Sequence, residues 1–282
     1  MTGLVKTMGK HGKGFTLIEI MVAMTLSLLL TGVMIKVYSG ARHTYLLQDG
    51  LTRVQEDGRV TLHLISGEVR HAGFRNPVWN DPLNGYTPLT AASANGANGA
   101  SDTLQIMYMD DTDCSGNVNG GNDPETLEAV ALYKRVTFSV DDAESLIRTC
   151  EYGASPSELN VEIADQVMID GVESFQVLYG VDTDFPPDLS INAWTTADNI
   201  TPATSVCLQS QYLCEAGNLM GQMSRGIPVA LKVGVLLVSP ANTGLDTDDN
   251  SFTVLDETIA AQNDQRLRKT YTTTVALRNL TL

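Results

Sequence analysis

Glu19 is the one charged side chain between Phe15 and Ile35, in a run otherwise made of apolar residues, small residues, Thr and Ser. A carboxylate in hydrocarbon is costly unless a cation or a donor meets it, so pairing chemistry is expected at this position. Just upstream, Lys6, Lys10 and Lys13 precede Gly14 and Phe15. A secretory signal carries its small-residue cleavage site after the apolar run, whereas here the Gly14-Phe15 junction lies before it. Processing at that junction would leave the run on the mature chain.

The other residues that could do chemistry are cysteines and acids. Cys114, Cys150, Cys207 and Cys214 form no C-x-x-C pair, so neither a zinc ribbon nor a thioredoxin-type site is offered. They read as two disulfides. Three pairings are open, and pairing of sequence neighbours, Cys114 with Cys150 and Cys207 with Cys214, is the expected one. Each closure would contribute roughly 2 to 4 kcal/mol and implies an oxidising compartment. Asp111, Asp113, Ser115, Gly116 and Asn117 match the opening of a calcium loop, but Asn122 stands where a bidentate Glu is needed. Asp246, Asp248, Asn250 and Glu257 fail differently, with Ser251 in place of the turn glycine. Both runs read as acidic turns, and no cofactor is expected.

Catalytic constellations are absent from the sequence: there is no G-x-S-x-G, H-E-x-x-H, Walker loop or G-x-G-x-x-G. His11 lies upstream of Gly14, and His43, His63 and His71 fall in a helical pattern. The acidic pairs Asp110-Asp111 and Asp141-Asp142 read as solvated turns, because adjacent side chains point apart. A formal charge of minus 15 over 282 residues opposes attraction to nucleic acid. The local cluster Arg266, Arg268 and Lys269 is expected to face acidic neighbours at the start of a strand.

These groups must be positioned by a few elements. Phe15 to Ile35, as a helix, would reach about 30 Å and cross a bilayer, with the upstream lysines holding the N-terminus in the cytoplasm. The helical pattern continues through Leu47, Leu51, Val54, Leu62, Ile65 and Val69, so one helix is expected over 15–73. Gly32, Gly40, Gly50 and Gly58 weaken it, making local bending or melting an expectation. Beyond Asn76-Pro77 the composition shifts to turns, and Ala91 to Ser101 reads as a small-residue loop. Alternating patterns then mark strands at Leu104/Ile106/Tyr108, Val136/Phe138/Val140, Phe175/Val177/Tyr179/Val181, Val229 to Leu237, and Tyr271 to Leu277. The expected fold is α+β, a long helix packed on an antiparallel sheet in a ladle-like arrangement, with 74–282 as the β-rich head.

Lys13-Gly14-Phe15-Thr16-Leu17-Ile18-Glu19, continuing as Ile20-Met21-Val22-Ala23, resembles the class III signal of type IV prepilins and type II secretion pseudopilins. The resemblance implies a leader of residues 1–14, cleavage after Gly14 by a prepilin peptidase, and N-methylation of Phe15. It further implies that Glu19 pairs with the N-terminal amine of a neighbouring subunit during assembly, a register device rather than a large source of stability. His71-Ala72-Gly73-Phe74-Arg75-Asn76, and Arg266-Leu267-Arg268-Lys269-Thr270-Tyr271 leading to Leu277-Arg278-Asn279, resemble the helix end and final strand of PilW-type minor pilins. J-type pseudopilins share part of that ending. The resemblance implies a non-enzymatic subunit that helps prime pilus assembly and sits at or near the tip. Implied partners are other minor pilins, the major pilin and the inner-membrane assembly platform. It implies an inner-membrane precursor with a periplasmic head, then a place on the surface pilus. A J-type pseudopilin is the alternative. A tip adhesin is another, suggested by Trp79, Trp194 and the long loops.

Overall fold

The computed structural model describes residues 14–74, 89, 94–96, 100–117, 132–184, 188–200, 227–240, 242–243, 247 and 249–280. Contacts divide the chain into two units, Met1–Leu46 and Leu47–Leu282. A single helix, α1, runs over Leu17–His71 without a break. The bending or melting expected at its glycines does not occur. Gly32 and Gly40 face open space, while Gly50 and Gly58 belong to the buried stripe with Val54, Thr61, Ile65 and Val69. That stripe differs from one drawn through apolar residues alone, since Leu51 is 38% exposed. Glycine is used at Gly58 for close approach: a Cβ there would lie 2.6 Å from the Tyr271 ring.

Ten strands follow: β1 (Leu104–Asp110), β2 (Leu132–Val140), β3 (Ser145–Ser155), β4 (Glu158–Asp170), β5 (Val172–Asp182), β6 (Ala193–Thr195), β7 (Ile227–Val238), β8 (Phe252–Val254), β9 (Glu257–Ile259) and β10 (Arg268–Ala276). They form two four-stranded sheets, ordered β1-β2-β3-β4 and β10-β7-β5-β6, and a hairpin β8-β9. All the pairings are antiparallel. The architecture is α+β, as expected, although the head carries two sheets rather than one. The chain crosses from the first sheet to the second at Gly171, whose φ of 76° suits glycine.

The period-2 pattern explains the core. Phe175, Val177, Tyr179 and Val181 on β5 and Leu231, Val233, Val235 and Leu237 on β7 all fall on one face and are buried. Leu104, Ile106, Val136 and Phe138 of the first sheet join the same cluster, as do Val54, Ile65 and Val69 of α1. The opposite face of the second sheet is partly covered by the β8-β9 hairpin, where Leu236 packs with Val254 and Ile259.

Candidate functional site: the N-terminal segment and the contacts that close the head

At the N-terminal end Phe15 is 84% exposed, and large apolar side chains from Leu17 to Tyr38 are exposed along the helix. This part of α1 is apolar and long enough to cross a membrane. Thr16 and Glu19 cap it reciprocally. The Thr16 N–H and hydroxyl donate to Glu19 Oε2 at 2.9 and 3.0 Å, and the Glu19 N–H donates to the Thr16 hydroxyl at 3.3 Å. This is a capping box, which satisfies N–H groups that have no partner inside the helix. Its T-x-x-E signature was readable in the sequence, but it sits inside the motif that drew attention to Glu19 alone. All the groups of the box lie C-terminal to the Gly14-Phe15 junction, so a cut there leaves it intact.

The C-terminal end of α1 is closed by the two segments that carry the resemblance in the head. Gly73 adopts a φ of 80°, the left-handed conformation that ends helices. Its N–H donates to the Met107 carbonyl, and the Met109 N–H donates to the Phe74 carbonyl, so the chain leaving the helix runs onto β1. Asn279 then donates its side-chain amide to the carbonyls of Arg70 and Ala72 at 2.8 and 3.4 Å. The two sequence signatures therefore meet in space. One turn earlier, Glu68 accepts from the Tyr108 hydroxyl at 2.8 Å and from Arg148 at 2.9 Å, tying the helix to β1 and β3. Burial and the Glu68 carboxylate together push the Tyr108 hydroxyl pKa far up, so it stays a donor. His71 stacks on the same ring with centroids 5.4 Å apart.

The cluster at the start of β10 is an ion network. Arg268, 1% exposed, donates to both oxygens of Glu173 at 2.7 Å and to Asp264 at 2.5 and 2.8 Å. Arg266 donates to Glu144 at 2.8 and 3.1 Å, to Asp264 at 2.9 Å and to Glu173 at 3.1 Å. Hydrogen bonds from Arg268 hold the Asp264 carboxyl far below its ordinary range. The acidic neighbours expected of these arginines are present. Lys269 is exposed, with its ammonium 5.4 Å from the Tyr271 ring centroid.

Cys114 and Cys150 form a disulfide with Cα atoms 5.9 Å apart, joining the loop after β1 to β3. Cys207 and Cys214 lie outside the described residues, as do Arg75, Asn76, Trp79, Asp246 and Asp248. Around the disulfide the structure does gather Asp113, Ser115 and Asn117. The Asp113 carboxylate accepts the N–H groups of Ser115 and Asn117 at 2.9 and 2.8 Å and the Asn117 amide at 3.1 Å, the pattern of an acidic turn. Asp111 is exposed beside it. Glu162, from distant β4, closes the turn by accepting from the Cys114 N–H at 2.7 Å and the Ser115 hydroxyl at 2.6 Å. Asp110 is not simply solvated, as its carboxylate pairs with Lys134 at 2.6 Å. Asp141 accepts the N–H groups of Ala143 and Ser145 in the β2-β3 turn. A further acidic group, Asp182, Asp184 and Asp188, comes together after β5 with oxygens within 4.8 Å of one another. The D-x-D-x-x-x-D spacing was its signal in the sequence.

A family model described as Type IV Pilus-assembly protein W matches residues 137–279, half of the chain. The chain belongs to the PilW family of type IV minor pilins. The PilW match runs from β2 to Asn279, and so holds the Arg266-Arg268 network, Cys150 and the residue that caps α1. The prokaryotic N-terminal methylation motif matches residues 9–35. Among solved structures, the chain is similar to a type IV-like pilin from Thermus thermophilus. The identity is 17%, the match covers 82% of this chain and 98% of that one, and the TM-score is 0.48. No curated protein matches the chain. The methylation motif and the long apolar helix fit an inner-membrane-anchored pilin that interacts with other pilins and the assembly machinery. Family and fold point to a structural rather than a catalytic protein.

Proposed function

We propose that this PilW-family chain helps prime type IV pilus assembly and is incorporated at or near the pilus tip. The observation that carries the reading is the presence in one chain of the methylation motif at 9–35 and the PilW match at 137–279. In this reading a prepilin peptidase cuts after Gly14 and methylates Phe15. The apolar half of α1 then anchors the precursor in the inner membrane with the head in the periplasm. Glu19 later pairs with the Phe15 amine of a neighbouring subunit. Removal of Lys6, Lys10 and Lys13 leaves no basic residue before Lys36, so the new amine is the nearest cation for that carboxylate.

The head acts as a contact surface. Residues 74–282 carry ten Lys and Arg against 28 Asp and Glu, which disfavours nucleic acid as a ligand. A subunit near the tip need not accept identical neighbours above and below, and a large acidic head suits that position. The test is deletion of the gene, with surface pili counted and export of secreted enzymes assayed in the same strain, followed by restoration with the intact chain. Loss of pili with secretion intact is expected. Lost secretion with normal pili would assign the chain to type II secretion instead.

A further inference from the structure

Between β5 and β6 the chain makes a turn whose polar groups bond one another while its large apolar groups face solvent. The Asp182 carboxylate, 1% exposed, accepts the N–H groups of Asp184 at 2.9 Å and Leu189 at 2.6 Å. Asn192 accepts the Thr183 N–H at 2.7 Å and donates to Asp184 at 3.0 Å, and its own N–H donates to the Val181 carbonyl. Leu189 is held at a φ of 65°, a strained conformation for a bulky residue. Leu189, Ile191 and Trp194 remain 47%, 42% and 40% exposed. Ile191 and Trp194 lie over Gly180, where a Cβ would come within 3.2 and 3.1 Å of them. The Lys232 ammonium stands 5.7 Å from the Trp194 ring centroid. A turn fixed by its own hydrogen bonds, holding strain while it presents three apolar side chains, is organised for contact with another molecule.

Charge indicates what that molecule carries. The exposed carboxylates of Asp184 and Asp188 flank the apolar group and approach each other and Asp182 within 4.8 Å. A second copy, with the same excess of acids in its head, would set like charge against like. A surface bearing an apolar side chain beside a cation would match both features. We propose that this turn docks on a different pilin subunit, through a loop that presents an apolar side chain next to Lys or Arg. The proposal rests on the minor-pilin reading, which supplies the neighbouring subunits.

The test uses the full-length chain expressed in place of the native gene, with Ile191 replaced by a photoreactive benzoyl-phenylalanine and irradiated in living cells. The expected product is a crosslink to another chain bearing the prepilin motif, at a peptide with Lys or Arg next to the attachment. Its yield should fall about tenfold when Asp184→Lys and Asp188→Lys are added. Formation of the Cys114–Cys150 disulfide in the same cells monitors folding, and placing the photoreactive residue at Leu189 repeats the test should the first variant fail that check. A crosslink to a second copy or to a chain without the motif, a yield indifferent to the two lysines, or no product would overturn the proposal. Failure of the minor-pilin reading registers separately, as normal piliation in the deletion strain.

Discussion

Replacing Arg268 by Met asks whether ion pairing holds the C-terminal strand in the head. The Arg268 and Glu173 side chains are 1% and 7% exposed. In the variant Glu173 loses two bonds of 2.7 Å and keeps one, from Arg266 at 3.1 Å. Removing one partner of a buried pair costs about 3 to 5 kcal/mol, because the other charge stays desolvated, and the residual Arg266 contact puts the expectation near 3. For a domain of this size each kcal/mol lowers Tm by about 2 to 4 °C, so a fall of about 6 to 12 °C is expected in a thermal melt of the detergent-solubilised chain. Adding Glu173→Leu removes the stranded carboxylate and should restore most of the loss. The pH dependence has a definite sign. Asp264 is depressed below its ordinary 3.8, chiefly by its Arg268 hydrogen bonds, so its contribution is present above that pH and is lost as pH falls below it. Arg268→Met should therefore lose less stability on acidification than the wild type. A Tm drop under about 3 °C, or a double variant less stable than the single, would refute the reasoning.

Four further outcomes are expected. Gly58→Ala gains about 1 kcal/mol of helix propensity but drives a Cβ to within 2.6 Å of the Tyr271 ring, so its Tm should fall rather than rise. Asp102 accepts the N–H groups of Gly96 and Val177 at 2.7 Å, and burial raises its pKa from 3.8 to about 6. Its folded pKa lies above the unfolded one, so the wild type should lose stability relative to Asp102→Asn as pH rises through that interval, and melts showing the opposite slope would contradict this. Gly14→Val should leave the precursor uncleaved on an immunoblot, and normal processing would reject the junction. Glu19→Ala should insert in the membrane yet assemble few pili by electron microscopy, and wild-type numbers would count against the pairing role.

The sequence by itself determined the elements whose residues announce their surroundings. An apolar run with one acid and a basic leader has few physical explanations, and strict alternation in β1, β2, β5, β7 and β10 reports a buried face directly. β3 and β4 were less legible. β4 lies at the edge of its sheet, with Val161 and Val167 exposed and with register shifts against β3, so no single face repeats along it. The buried helix stripe passed through Gly50, Gly58 and Thr61, residues whose burial depends on what approaches them. Only the tertiary structure decided that Asn279 caps a helix ending 209 and 207 residues earlier, at Arg70 and Ala72. It likewise decided that Arg266 and Arg268 are taken up by Glu144, Glu173 and Asp264, and that Glu162 closes the turn beside Cys114. Each of these contacts joins residues that share no local periodicity. A single polar side chain holds no record of its partner, so the partner follows only from where the packed sheets bring the chain together.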